Sequence, residues 1–169
     1  MNVIFLDVDG VLNNAKTFYK RYLNYLITGK QNLEIDEKMV ERLKKIVDAT
    51  SAKIVLSSSW RVFFTKHNNE VFADSKGYQL CEILEKYNME IFDLTPYDKN
   101  RHRGNEISAY LNENEVDKYI IIDDDDFDLQ DLSEHVIKTS FKSGLTDEHV
   151  IDAIEKLNSN VLKKCWKKI

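Results

Sequence analysis

Two carboxylates, Asp7 and Asp9, stand two residues apart, directly after the apolar run Asn2–Leu6 and directly before Gly10. If the backbone turns there, both can point into one crevice, and Gly10 gives it the freedom to turn. Neighbouring carboxylates repel, so the pair calls for a cation or a shared proton. A second acidic group, DDDDFD at 123–128, places five carboxylates in six residues after the apolar run Tyr119–Ile122. Such hard oxygen donors suit Mg²⁺, although one ion cannot use all five. The others read as an exposed loop that caps the next element. Ser57, Ser58 and Ser59 follow the run Lys53–Leu56 and precede Trp60 and Arg61. Hydroxyls and free N–H groups at a strand-to-helix turn can hold a phosphate oxygen. Finally, Arg101 and Arg103 lie in the loop KNRHR ahead of a helix carrying Ile107 and Leu111. Either cation can neutralise a phosphoryl group or the crowded acids.

These residues act together only if the chain brings them together. The runs that precede them are short and continuously apolar, as strands buried on both faces of a parallel sheet are. Val136–Lys138 is a fourth such run, and Glu90–Leu94, closed by Thr95-Pro96, a weaker fifth. Helical periodicity fills the gaps between them. Ile35, Met39, Val40, Leu43, Ile46 and Val47 form one stripe, and Leu80, Ile83, Leu84 and Tyr87 another. Ile107, Tyr110 and Leu111 form a third. Thr146 is the expected N-cap of a last helix whose Val150, Ile151, Ile154 and Leu157 should face inward. Alternating strands and helices predict an α/β fold, a three-layer, Rossmann-like parallel sheet. In such sheets ligands bind beyond the carboxyl ends of the strands, where the acids and serines lie.

Composition narrows the class further. The 169 residues carry 24 Lys plus Arg against 29 Asp plus Glu, a net charge of −5, which disfavours nonspecific coating of nucleic acid. Two cysteines, Cys81 and Cys165, cannot build a disulfide framework and suit a reducing compartment. No apolar run approaches the ~20 residues of a membrane helix, so a cytoplasmic protein with no membrane partner is expected. One domain over 1–169 is expected, with a small helical insertion at about 13–35 and a basic tail at 158–169. The insertion contains FYKRYLNYLI, read as an amphipathic packing helix. The tail contains Lys163, Lys164, Lys167 and Lys168. Motifs for P-loop, dinucleotide, zinc-protease and serine-hydrolase chemistry are missing from the sequence.

The order DVDGV, IVLS, a basic residue before a helix, and IIIDD resembles the four motifs of haloacid dehalogenase (HAD) phosphohydrolases. SSSWR, RGNEI, IIIDDD and the late GLT are similar to the HAD domains of Swiss Army Knife RNA repair proteins. That resemblance implies a HAD fold in which Asp7 is the nucleophile and Asp9 the general acid and base. It makes Ser57 a phosphoryl ligand and puts Arg103 where Lys is usual, with Arg101 its competitor. Gly10, Ser58, Arg61 and Arg101 are the expected substrate-binding residues. Mg²⁺ would be held by Asp7, the Asp9 carbonyl and Asp124, with Asp123 beside it and the register open by one residue. Asp128 would support them from behind.

Neither gap that could hold a cap has room for a large cap domain. An open site admits a macromolecular end, with Lys66, His67, Lys99, Arg101, His102 and Arg103 along one rim. The expected partner is thus a phosphorylated substrate such as an RNA or DNA end, with nucleic-acid repair enzymes as candidate associates. A metabolite or protein phosphatase and a noncatalytic phosphoacceptor are the competing classes.

Overall fold

The computed structural model describes residues 1–30, 35–68 and 70–159. Its central sheet has five parallel strands: β1 (Asn2–Leu6), β2 (Lys53–Leu56), β5 (Ile91–Leu94), β6 (Lys118–Asp123) and β7 (Val136–Lys138). Their spatial order is β5-β2-β1-β6-β7, with Phe5 level with Val55 and Ile121. Two further strands, β3 (Phe64–His67) and β4 (Glu70–Ala73), form a separate antiparallel hairpin.

The continuous apolarity of the strands has a simple cause. Ile4, Leu6, Ile54, Leu56, Ile120 and Ile122 point to one face, and Val3, Phe5, Val55 and Ile121 to the other. The first face is covered by α2 (Glu37–Thr50), α3 (Ser75–Lys86) and α5 (Asp147–Asn158). The second is covered by α4 (Arg103–Glu113) through Ile107 and Tyr110, with Leu129 alongside. Both faces are thereby buried and three layers result, as the sequence pattern predicts. Truncating a core residue such as Leu6 or Ile120 to Ala would cost about 2–5 kcal/mol.

Three local expectations are corrected. Ile151 is 60% exposed, and Ala153 takes the inward position on α5 instead. Thr146 does cap that helix, in a capping box with His149. The hairpin β3–β4 was not read from the sequence, because its charged, four-residue strands bury little beyond Phe64. The amphipathic segment after the DVDGV motif does form a helix, α1 (Ala15–Thr28), but among the described residues it packs only slightly, with the Phe18 ring 5.3 Å from that of Phe141. Only Thr17 is buried there, while Tyr19, Tyr22, Tyr25, Leu26 and Ile27 face solvent. The four lysines of the basic tail lie outside the described residues. Among the described residues, no helix is long and apolar enough to cross a membrane.

Candidate active site

The parallel hydrogen-bond ladder runs one residue past the strands, and this is what assembles the site. Asp7 N–H donates to the Ile122 carbonyl (3.0 Å), Ser57 N–H to Leu6 (2.8 Å), and Thr139 N–H to Asp123 (2.9 Å). Asp7, Ser57 and Asp123 are therefore neighbours at the carboxyl edge of the sheet. All three are buried.

Gly10 turns the chain away from this edge with φ +71°, a left-handed conformation. The space above it is also taken. A Cβ at position 10 would lie 2.1 Å from Asp124 Oδ2, so only glycine lets that carboxylate close over the loop. The loop is tied down by Gly10 N–H donating to Asn13 Oδ1 (2.8 Å) and by the Thr139 hydroxyl donating to the Gly10 carbonyl (2.8 Å).

Carboxylate oxygens of Asp7, Asp123 and Asp124 lie within 4.8 Å of one another. Burial raises the Asp7 carboxyl above the usual carboxylate range, opposed by Arg103 and the Ser58 hydroxyl and reinforced by Asp9. Burial raises Asp123 as well, again against Arg103 and with repulsion from Asp7. Asp124 is raised by burial and by its acidic neighbours. Two buried carboxylates and a half-buried third, mutually repelling oxygen donors, fit a hard divalent cation such as Mg²⁺, whose charge would let all of them ionise.

Among the described residues, Arg103 is the cation that reaches the cluster. Its guanidinium donates to Asp7 (3.2 Å), to Asp123 and to the Ser57 carbonyl. It is the first residue of α4, and Asp128 fixes that point by accepting from the Arg103 backbone N–H. Arg101, its competitor in the sequence, sits in a left-handed turn (φ +58°) and is exposed, with its backbone N–H bonded to Asp98. The other basic residues of the expected rim resemble Arg101 and not Arg103. Lys66, His67 and Lys99 are all exposed, and Lys66 pairs with Asp93 (2.7 Å) and not with the cluster.

The serines also divide. The Ser57 hydroxyl is buried and has no hydrogen-bond partner among the described residues, an orphan whose cost a ligand or water would relieve. Ser58 accepts from Trp60 N–H (3.3 Å) and caps the 3₁₀ turn Ser59–Phe63.

Arg61 was expected to bind substrate, but the structure buries it in the scaffold. It donates to Glu106 (2.6 Å), to Thr95 Oγ1 (2.7 Å), and to the Thr95, Pro96 and Ser58 carbonyls. The guanidinium also stacks on Tyr97, 4.4 Å from the ring centroid. These bonds join the serine turn, the loop after β5 and α4, so Arg61 positions the site from behind.

Two residues that matter were missed. Asp9 accepts from Trp60 Nε1 (3.0 Å) on one oxygen and from Asn13 Nδ2 (2.8 Å) on the other. A lone Trp inside the polar run SSSWR was the signal for the first. Asn13, three residues after the turn glycine, was the signal for the second. Asp126 pairs with Lys138 and Asp125 accepts from Phe127 N–H (3.0 Å), so the later acids of the run belong to a turn and not to the cluster.

No curated protein and no solved structure matches the chain significantly. A family model does match, over residues 3–150, from the first strand into the last helix. Its description is the HAD domain in Swiss Army Knife RNA repair proteins, and this chain belongs to that family.

Proposed function

We propose that the protein is a Mg²⁺-dependent phosphomonoesterase that works through an aspartyl-phosphate on Asp7 and acts on the phosphorylated ends of nucleic acids. The observation that carries this reading is the Asp7 carboxylate held against Arg103 at the sheet edge, next to the orphaned Ser57 hydroxyl. A nucleophile, a cation and an unused polar group converge there, which is what phosphoryl transfer asks of a site.

Asp7 Oδ attacks phosphorus as the ester P–O bond breaks, and Asp9 delivers a proton to the departing oxygen. Water then attacks the aspartyl-phosphate while Asp9 takes its proton, freeing inorganic phosphate and the Asp7 carboxylate. Trp60 and Asn13 each occupy one oxygen of Asp9, which fixes its plane and leaves a lone pair for the transferred proton. Arg103 and the Ser57 hydroxyl hold the phosphoryl oxygens. Asp7, Asp123, Asp124 and the Asp9 carbonyl would hold Mg²⁺. When bound, the ion supplies the charge that lets an anionic nucleophile meet an anionic phosphoryl group.

The metal assignment has a direct check. Asp124→Ala is expected to weaken Mg²⁺ binding at least ~10-fold, and Asp126→Ala to leave it nearly unchanged, because Asp126 is turned to Lys138. Titration calorimetry of both variants measures this. Equal losses would remove Asp124 from the ligand set.

The open site and the RNA-repair family support the choice of substrate, and they make other repair enzymes the natural associates. A terminally phosphorylated oligonucleotide should give a higher kcat/KM than the matching mononucleotide, with the advantage shrinking as salt rises. A mononucleotide or sugar phosphate that is clearly better at both salt concentrations would replace this reading with a metabolite phosphatase.

A further inference from the structure

The acidic run contains one residue that neither the cluster nor its turn accounts for. Phe127 is 79% exposed, although the next apolar residue of the same segment, Leu129, is buried. The ring is not on a loose loop. Asp125 N–H donates to Asp123 Oδ1 (3.0 Å), Phe127 N–H to Asp125 Oδ1 (3.0 Å), and Leu129 N–H to the Asp126 carbonyl (3.1 Å). The Asp126–Lys138 pair adds a further tie. A rigid turn thus presents an aromatic face to solvent.

That face borders a cleft of about 280 Å³ lined by Arg101, His102, Arg103, Asp123, Asp125 and Phe127, among others. Asp123 belongs to the acid cluster and Arg103 donates to it, so the cleft opens directly from the reaction centre. Its opposite wall is equally fixed. Asp98 Oδ2 accepts from the backbone N–H groups of Asn100 (3.0 Å) and His102 (3.2 Å), holding Arg101 in its left-handed turn. The walls meet where Gly104 touches Asp128: a Cβ there would lie 2.4 Å from the Asp128 carbonyl oxygen. The volume falls just below the ~300 Å³ lower bound for drug-sized ligands and suits one base with its sugar.

We propose that this cleft is a nucleobase subsite, in which Phe127 stacks on the terminal base while Arg101 and His102 meet the next phosphate along the strand. The inference rests on the nucleic-acid-end reading above and names how that end is recognised. Every base has a π-face, so such a platform takes strands without regard to sequence.

The test compares oligonucleotides whose phosphorylated terminal nucleotide carries a base or is abasic. Phe127→Ala should lower the kcat/KM ratio of base-bearing to abasic ends by roughly 5- to 100-fold, from the usual worth of one stacked base. Phe127→Trp should keep the ratio. A second arm needs no turnover. With 2-aminopurine as the terminal base and Mg²⁺ present, Asp7→Asn protein should quench the probe, and Asp7→Asn/Phe127→Ala protein should not. An unchanged ratio in Phe127→Ala, or equal quenching by the two proteins, overturns the subsite. If wild-type protein hydrolysed no oligonucleotide end at all, the substrate reading would fail, and the quenching arm would still decide the subsite.

Discussion

Asp7→Asn protein is expected to lose phosphatase turnover by roughly 10⁴-fold or more, the scale on which removal of a nucleophile acts. An amide in place of the carboxylate cannot attack phosphorus, and a ligand of the cluster is weakened at the same time. The fold should not suffer. Asp7 is buried beside Asp123 and its charge is opposed by burial, so a neutral isostere relieves repulsion at the sheet edge. The variant should therefore unfold at the same or a higher denaturant concentration than wild type. Turnover, phosphoenzyme trapping and the unfolding midpoint are to be measured on one preparation. Wild-type-like turnover in pure variant protein would remove Asp7 from the role of nucleophile. Lost turnover together with a lower midpoint would instead trace the effect to damaged structure.

The largest effect on stability is expected at Arg61. Its partner Glu106 is almost fully buried, and it also accepts from Asp98 N–H (3.1 Å). Arg61→Ala strands that carboxylate without its cation, and breaking a buried pair from one side costs about 3–5 kcal/mol. For a chain of this size each kcal/mol corresponds to about 2–4 °C in Tm. Arg61→Lys should recover only part of the loss, because a point charge cannot reproduce a planar fork that serves Glu106, Thr95, Pro96 and Ser58 together. Arg61→Met/Glu106→Leu, which removes both charges, should recover most of it. Chemical denaturation of the four proteins decides the matter. If Arg61→Ala were as stable as wild type but raised KM for every phosphorylated substrate, Arg61 would be a substrate ligand.

The layered fold was legible in the sequence because its causes are local. Runs such as Val3–Leu6 and Ile120–Ile122 are apolar at every position, and only a strand buried on both faces requires that. The stripes on α2, α3 and α4 repeat at helical spacing, Asp7 and Ser57 follow strand ends, and Asp123 closes its strand. A parallel sheet brings such ends together whatever else the chain does. The reading failed where burial was slight. The hairpin β3–β4 has little apolar pattern to detect, and α1 has an amphipathic pattern whose tyrosines stay exposed among the described residues. Spacing could not choose between Arg101 and Arg103 either. The choice depends on a left-handed turn at Arg101, held by nearby Asp98, and on Asp128 gripping the start of α4 from 25 positions away. The same holds for Arg61, whose partner is 45 positions away, and for Trp60, which bonds Asp9 across 51. Sequence periodicity records which side of an element is buried, so it determined the layers and the edge where the chemistry sits. Which side chains meet at that edge depends on side-chain reach and backbone direction between distant segments, and only the tertiary structure decided that.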